Sequence, residues 1–359
     1  MSSPRRLPAT PKTVFLHIGI HKTGTSAIQN VCKANHRELL QAGILFPKAG
    51  FTRKRGLHPN GTSGHSGLIG FLSAPNAANV PPPGQMFLRE IESGSWNRLV
   101  LSSELLSQPH NQRPIECIAW FRQQGFEVKL IAYLRRQDRW LDSFYRERLG
   151  WIRPKFRDAR SIDEFWRADG DAWLNYKTRI GHWVTAVGRE HAVIRSYEDV
   201  PDTGGVVGDF LEIIGAESAQ LNVAQSVDLH NPSLPPAAAD LMRAANTFPG
   251  DVIPRKTPLI AAIMRTALFT RPAGSLIAPA LWEEIKAAYG EQNEELRASW
   301  LSGPSRRFSF REGPGPLPLV AEAISFADGV ILLEGMLKAI DRPAATAPTA
   351  PAGRPREGD

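Results

Sequence analysis

Lys22, Thr23, Gly24, Thr25 and Ser26 are consecutive, and together they make the kind of set that holds an anion. They close the run Gly19-Ile-His-Lys-Thr-Gly-Thr-Ser26, which follows the apolar stretch TVFLHI without a break. A glycine lets the backbone approach an anion. Amides at a helix start point at it, and the positive end of the helix dipole favours it. Lys22 adds a full charge, and the hydroxyls of Thr25 and Ser26 add donors. Gly19, Gly24 and Ser26 fit the frame of a nucleoside-triphosphatase loop, but Thr25 stands where that motif has lysine. An ordinary strand–turn–helix with a surface lysine is the plain alternative. A second set lies in EVKLIAYL followed by RRQDRWLDSFYRERL: Arg135 ends the apolar run, and Ser143 lies eight residues on. A guanidinium at a strand end and a hydroxyl in the next helix can converge on one phosphate. With Arg136, Arg139, Arg146 and Arg148 nearby, the stretch also fits a solvated basic face. Two anion sites at the ends of neighbouring strands would suit one bisphosphorylated nucleotide.

These residues need a frame. Short apolar runs predict strands at 13–18, 43–46, 98–102, 127–134 and 191–195. Amphipathic stretches between them predict helices at 25–42, 112–124, 138–150, 171–187 and 204–215. Continuous apolar strands separated by helices imply an α/β fold of P-loop type, a parallel sheet flanked by helices on both faces. The first loop then falls at the carboxyl end of the first strand, where open α/β sheets bind ligands. From 231 to 301 the pattern turns mostly helical, and 50–86, rich in Gly, Pro, Asn and Ser, reads as a long loop. No internal repeat is visible.

The chain has 359 residues, 42% hydrophobic, with a formal net charge of +7. That length allows one or two domains, and the basic balance suits anionic ligands. No apolar run is long enough for a membrane span, and MSSPRRLPATPK does not read as a secretory signal. The two cysteines, Cys32 and Cys117, make neither a disulfide framework nor a zinc site, so the expectation is a cytoplasmic protein without metal. Dispersed basic residues, without interleaved aromatics, argue against nucleic acid. Residues 1–12 read as a flexible arm and the Pro/Ala-rich 341–359 as a disordered tail.

At this point the sequence resembles the PAPS-dependent sulfotransferases, which use 3′-phosphoadenosine 5′-phosphosulfate. Their 5′-phosphosulfate loop looks like HKTGTS, and their 3′-phosphate motif looks like the spacing from Arg135 to Ser143. LVLSSELLS, LHNPSLPPAAADLMRAAN and EEIKAAYGEQNEEL agree more softly. The likeness is greatest to bacterial sulfotransferase-family proteins and, more loosely, to carbohydrate sulfotransferases. It covers about 13–305, with a nucleotide-binding core at 13–215 and a helical part at 231–301, and 306–340 reads as a C-terminal extension of that domain. It implies PAPS as co-substrate, PAP as product, and a hydroxyl or amine acceptor. A sugar acceptor rests on the likeness alone. The tryptophans in WRADGDAWLNYKTRIGHW (166, 173 and 183), like Trp151, invite a sugar-stacking role, but such spacing is more often a buried helix stripe. The glycine-rich 3′-phosphate loop of cytosolic aryl sulfotransferases has no clear copy, and FREGPGPLP is a poor candidate. That argues against phenol- or steroid-type acceptors.

The resemblance also assigns roles. Lys22, with Thr23, Gly24, Thr25 and Ser26, would hold the 5′-phosphosulfate, with Lys22 bridging the leaving phosphate. Arg135 and Ser143 would hold the 3′-phosphate. Sulfuryl transfer to an alcohol needs a base, which the family places after the second strand or at the end of the third. His65, in GTSGHSGLI, and Glu104, in LSSE, are the candidates. A solvated loop histidine and an acidic helix cap are their plain readings. His58 is a weaker competitor, and His17 and His21 read as structural. The rival readings are a P-loop kinase or triphosphatase, and a non-catalytic PAP-binding protein. Oligomeric state stays open.

Overall fold

Runs of apolar residues without alternation can be satisfied only between two layers of helix, and such strands form the centre of this molecule. The computed structural model describes residues 12–53, 62–93, 95–109, 115–150, 158–200, 204–217, 219, 221–223, 234, 236–247, 257–265, 274–319 and 326–340. The tail, all but the last residue of the arm, His58 and Trp151 lie outside the described residues.

Seven strands are described: β1 (Thr13–Ile18), β2 (Ile44–Leu45), β3 (Thr52–Arg53), β4 (Thr62–Gly64), β5 (Arg98–Ser103), β6 (Glu127–Leu134) and β7 (Ala192–Ser196). Five make one parallel sheet in the order β2-β5-β1-β6-β7, while β3 and β4 pair antiparallel beside it. In register, Thr13 faces Arg98 of β5 on one side and Glu127 of β6 on the other. Side chains alternate across β1 as strand geometry requires. Val14, Leu16 and Ile18 enter one hydrophobic cluster, and Phe15 enters the other.

Helices cover both faces. The first cluster is closed by α5 (Ile115–Gln123), α6 (Gln137–Leu149), α7 (Ile162–Leu174) and α8 (Tyr176–Val187). The second is closed by α1 (Thr25–Ala34) and α9 (Gly205–Ile213). The rest of the first half is α2 (His36–Gln41), α3 (Ile69–Ser73) and α4 (Pro82–Glu92). Helices Pro236–Thr247, Thr257–Arg265, Pro279–Ser299 and Phe326–Ile340 follow. No described helix is long and apolar enough to cross a membrane.

Strands 13–18 and 127–134 match their predicted limits, and the limits of the other three shift by one residue at most. The helix predicted at 25–42 is two. Buried Asn35 ends the first, its amide donating to the Val31 carbonyl at 2.9 Å. Its carbonyl oxygen accepts from the Asn222 N–H at 2.8 Å, so tertiary partners hold the break. The helix predicted at 171–187 is the end of α7 plus α8, divided at Asn175, whose side chain accepts from the Thr178 N–H. The loop at 50–86 carries β3, β4, α3 and the start of α4.

The chain leaves β1 for β2 and β5 on one side, then crosses to β6 and β7 on the other. Strand order therefore reverses at β1, and the carboxyl ends of β5, β1 and β6 flank the crevice that such a reversal creates. From Ser302 onward the chain returns to the sheet, and the extension at 306–340 begins against it. Ser302 donates to the Ile194 carbonyl at 2.7 Å, and fully buried Arg136 donates to the carbonyls of Ser309 (3.4 Å) and Pro314 (2.7 Å).

Candidate functional site

The loop after β1 is held from below. Gly19 N–H donates to the Ser103 carbonyl at 3.0 Å, and the Gly19 carbonyl accepts from the Ser107 hydroxyl at 2.7 Å. The hydroxyls of Thr23 and Thr25 turn inward and donate to the Ile20 carbonyl at 2.7 and 3.2 Å. Both residues are buried. The Thr25 hydroxyl, expected to face a ligand, instead ties the loop, and Thr23 does the same. Ser26 remains partly exposed at the start of α1.

Two residues of this loop are left-handed. Gly24, the residue before α1, has φ +77°, and a Cβ there would meet Val206 Cγ1 at 2.5 Å. Lys22 has φ +66°, the only positive-φ non-glycine among the described residues. A non-glycine side chain in that region costs about 1 kcal/mol or more, strain typical of sites where backbone groups are aimed at a ligand. The result is a tight turn that leaves the first amides of α1 without intrahelical acceptors.

The lysine and arginine are joined. One Arg135 nitrogen donates to the Lys22 carbonyl at 3.2 Å, and its Nε donates to Glu198 at 3.2 Å. The guanidinium lies 5.2 Å over the Tyr197 ring. Burial raises the Glu198 pKa against the pull of Arg135. Lys22 Nζ is 3.4 Å from Glu147 on α6. Further back on that helix, Trp140 Nε1 donates to the His21 carbonyl at 2.6 Å, and Phe144 packs edge-on to the His21 ring. Positions 140, 143, 144 and 147 share one stripe of a helix, so Ser143 belongs to the side facing the loop. Arg135, Ser143 and Lys22–Ser26 are thus gathered at one edge of the sheet.

Glu104 opens the turn after β5. It is 6% exposed, and one oxygen lies 3.7 Å from His21 Nε2. A Cβ on Gly19 would come within 3.3 Å of Glu104 Cγ, so the carboxylate stands directly beside the loop. His65 has a different place. It is fully buried, its Nδ1 accepts from the Ser102 N–H at 3.0 Å, and its Nε2 donates to the Pro47 carbonyl at 2.8 Å. Phe46 and Phe51 flank the ring at 4.6 and 5.5 Å. Burial pushes its pKa down to about 4. With both nitrogens spent on backbone and no path to solvent, His65 fastens the 62–66 segment to β5. In this arrangement His65 offers no ring nitrogen for the role of base expected of it. His17, read as structural, is also fully buried, paired with the Ser102 hydroxyl at 2.8 Å and pushed down to about 3 by burial.

Several neighbours carried no readable signal. Arg179, buried on α8, donates through Nε to the Ser107 carbonyl at 2.6 Å and lies over the rings of Trp140 and Trp173. Burial pushes its pKa down to about 10. It supports the serine that holds Gly19. Trp173 stands 5.7 Å from the His21 ring, so one tryptophan of the predicted stripe borders the site, while Trp183 is fully buried. Glu147 and Glu198 belong to no motif of the sequence. Only the fold brings them to Lys22 and Arg135. Among the described residues no cluster of three His, Cys, Asp or Glu side chains could hold a metal ion.

No protein-family model matches the chain. An uncharacterized protein of Archaeoglobus fulgidus is 28% identical over 120 residues, 33% of this chain. The matched stretch spans 30% of that protein's own length. A solved structure from the characterization of the PezAT chromosomal toxin–antitoxin system of Streptococcus pneumoniae aligns at 11% identity and a TM-score of 0.24. It covers 68% of this chain and 91% of the other. A likeness that slight carries no argument about function.

Proposed function

We propose that this protein is a PAPS-dependent sulfotransferase that moves a sulfuryl group to a hydroxyl of a small-molecule or carbohydrate acceptor and releases PAP. The observation that carries the reading is the joining of Lys22 to Arg135 at the strand-order reversal, beside the open amides of α1. The first amides of α1, Lys22 and Ser26 would take the 5′-phosphosulfate. Arg135 and Ser143 would take the 3′-phosphate. A kinase holds a β–γ phosphate pair with magnesium. A lysine placed before Gly24 rather than after it suits a single phosphate bearing a sulfuryl group.

In this reading the acceptor oxygen attacks sulfur, and the bond from sulfur to the bridging oxygen breaks. That oxygen keeps the electron pair and leaves as part of PAP. Glu104, beside Gly19, takes the acceptor proton. Lys22 leaves Glu147 to meet the bridging oxygen, where negative charge grows. A preorganised donor aimed at such charge is worth roughly 100- to 1000-fold in rate. The sugar acceptor follows from the family resemblance.

Two measurements test the proposal. Calorimetry with PAP, in EDTA and in magnesium, should give the same micromolar-range affinity in both. Binding that requires magnesium would point to a kinase or triphosphatase instead. With radiolabelled PAPS and a panel of metabolites, Lys22→Ala should lose roughly 100- to 1000-fold in turnover while keeping its melting temperature. An unchanged rate in the folded variant sinks the assignment. PAP binding with no labelled product from any acceptor would leave a nucleotide-binding protein rather than an enzyme.

A further inference from the structure

The helix Phe326–Ile340 is apolar on two opposite sides. On one, Leu332 and Gly335 are buried, and Met336 packs against the first cluster. That side rests on the helix Thr257–Arg265: a Cβ on Gly335 would collide with Ala262 and lie 3.1 Å from the Pro258 carbonyl oxygen. The other side carries Val330, Leu333, Leu337 and Ile340, which are 52, 57, 59 and 44% exposed. Seven large apolar side chains stand exposed among the described residues, and this one helix holds four of them. The four recur at spacings of three, four and three, the pattern of a coiled-coil seam. A helix apolar all round belongs in an interior, so this one is covered on one side only.

The stripe is its own complement. Val330 and Ile340 lie equally far along the chain from Gly335, and so do Leu333 and Leu337. A second copy turned end for end would set Val330 on the partner's Ile340 and Leu333 on the partner's Leu337, the isologous contact of a two-fold dimer. The charges agree. Glu334 and Lys338, paired within one copy, sit on one flank of the stripe. The reversal brings Lys338 level with position 332 of the other helix, two residues from the partner's Glu334, so opposite charges meet across the seam. Other covers lack the chemistry. Residues 341–359, which follow the helix, hold no Val, Leu, Ile, Met or aromatic side chain. An anionic lipid surface calls for a basic polar face, whereas this helix carries Asp328 and Glu334 against Lys338.

We propose that this stripe is a dimer interface, through which two copies of the chain pair antiparallel along the helix Phe326–Ile340. At roughly 100 Å² for each fully covered side chain, eight half-exposed ones hide about 400 Å². A standard interface takes about 1,200–2,000 Å², so the seam makes a weak, concentration-dependent dimer. The proposal uses no residue of the phosphate loop and stands apart from the sulfotransferase reading.

The test is sedimentation equilibrium on the full chain. Over about 1–100 μM the parent should pass from monomer toward dimer, with a micromolar-range dissociation constant. Leu333→Glu combined with Leu337→Glu should weaken association roughly 10-fold or more. Its melting temperature at low concentration should match the parent's, because both side chains already face water. Leu333→Cys and Leu337→Cys should form a disulfide-linked dimer when mixed and little of one when oxidised separately. A parent that stays monomeric, or a dimer that survives the two glutamates, overturns the proposal. Crosslinking of each cysteine variant with itself overturns the antiparallel pairing. A monomer that binds vesicles of anionic phospholipid through these leucines gives the stripe to a membrane surface and overturns it too.

Discussion

Glu104 and His65 differ in what their side chains are free to do, and substitution can separate them. Glu104→Gln keeps shape and removes basicity. It should lower turnover by roughly 100-fold or more while PAP affinity holds, the size expected for a lost general base. His65→Ala removes a ring that links Ser102 to Pro47 inside an aromatic nest, so its loss should appear first as a lower melting temperature. Wild-type turnover in Glu104→Gln would return the base to an unassigned group. Lys22, Gly24 and Arg135 were legible because their types and spacing are rare together. The burial of His65 was not, because a histidine among Gly and Ser in a loop-like stretch gives no sign of Phe46 and Phe51 closing over it. Glu147 and Arg179 were equally silent: a helix acid and a helix arginine become site residues only when another segment arrives beside them.

At the scale of elements, the start of α1 is the most constrained join. Gly24→Ala would put a methyl group on a left-handed residue and against Val206. Such strain costs about 1–3 kcal/mol. It should be visible as reduced stability in urea titration and as weaker PAP binding, because the loop must shift away from α9. Full stability and affinity would mean that the turn tolerates a side chain. The strands were readable almost to the residue, since an unbroken apolar run has few other uses. The helix breaks at Asn35 and Asn175 were not. Local propensity carries through both positions, and the deciding partners are Asn222 for the first and the Thr178 amide for the second. The second is an N-cap signal of a familiar kind, obscured by the apolar residues on either side.

The whole molecule carries an acid sensitivity in its interior. His17 and His65 are neutral inside, with pKa values near 3 and 4, whereas an unfolded histidine titrates near 6.5. Between those values the unfolded chain binds more protons than the folded one, so stability falls as pH drops from about 6.5 toward 4, and is fully present above about 7. At about 1.4 kcal/mol per unit, the two groups together are worth several kcal/mol. Denaturant titrations from pH 8 to 4.5 should show this slope, and His17→Phe should flatten part of it. The same slope in the variant would place the acid sensitivity elsewhere. The α/β class could be argued from alternation of runs alone, but the return of the chain past residue 301 could not, because it depends on contacts across about half of the sequence. Arg136 and the Pro314 carbonyl it meets are 178 positions apart. During synthesis, then, every strand of the sheet and the loop after β1 leave the ribosome before the segment that closes over Arg136. Until it does, the guanidinium bound for the interior lacks two of its acceptors.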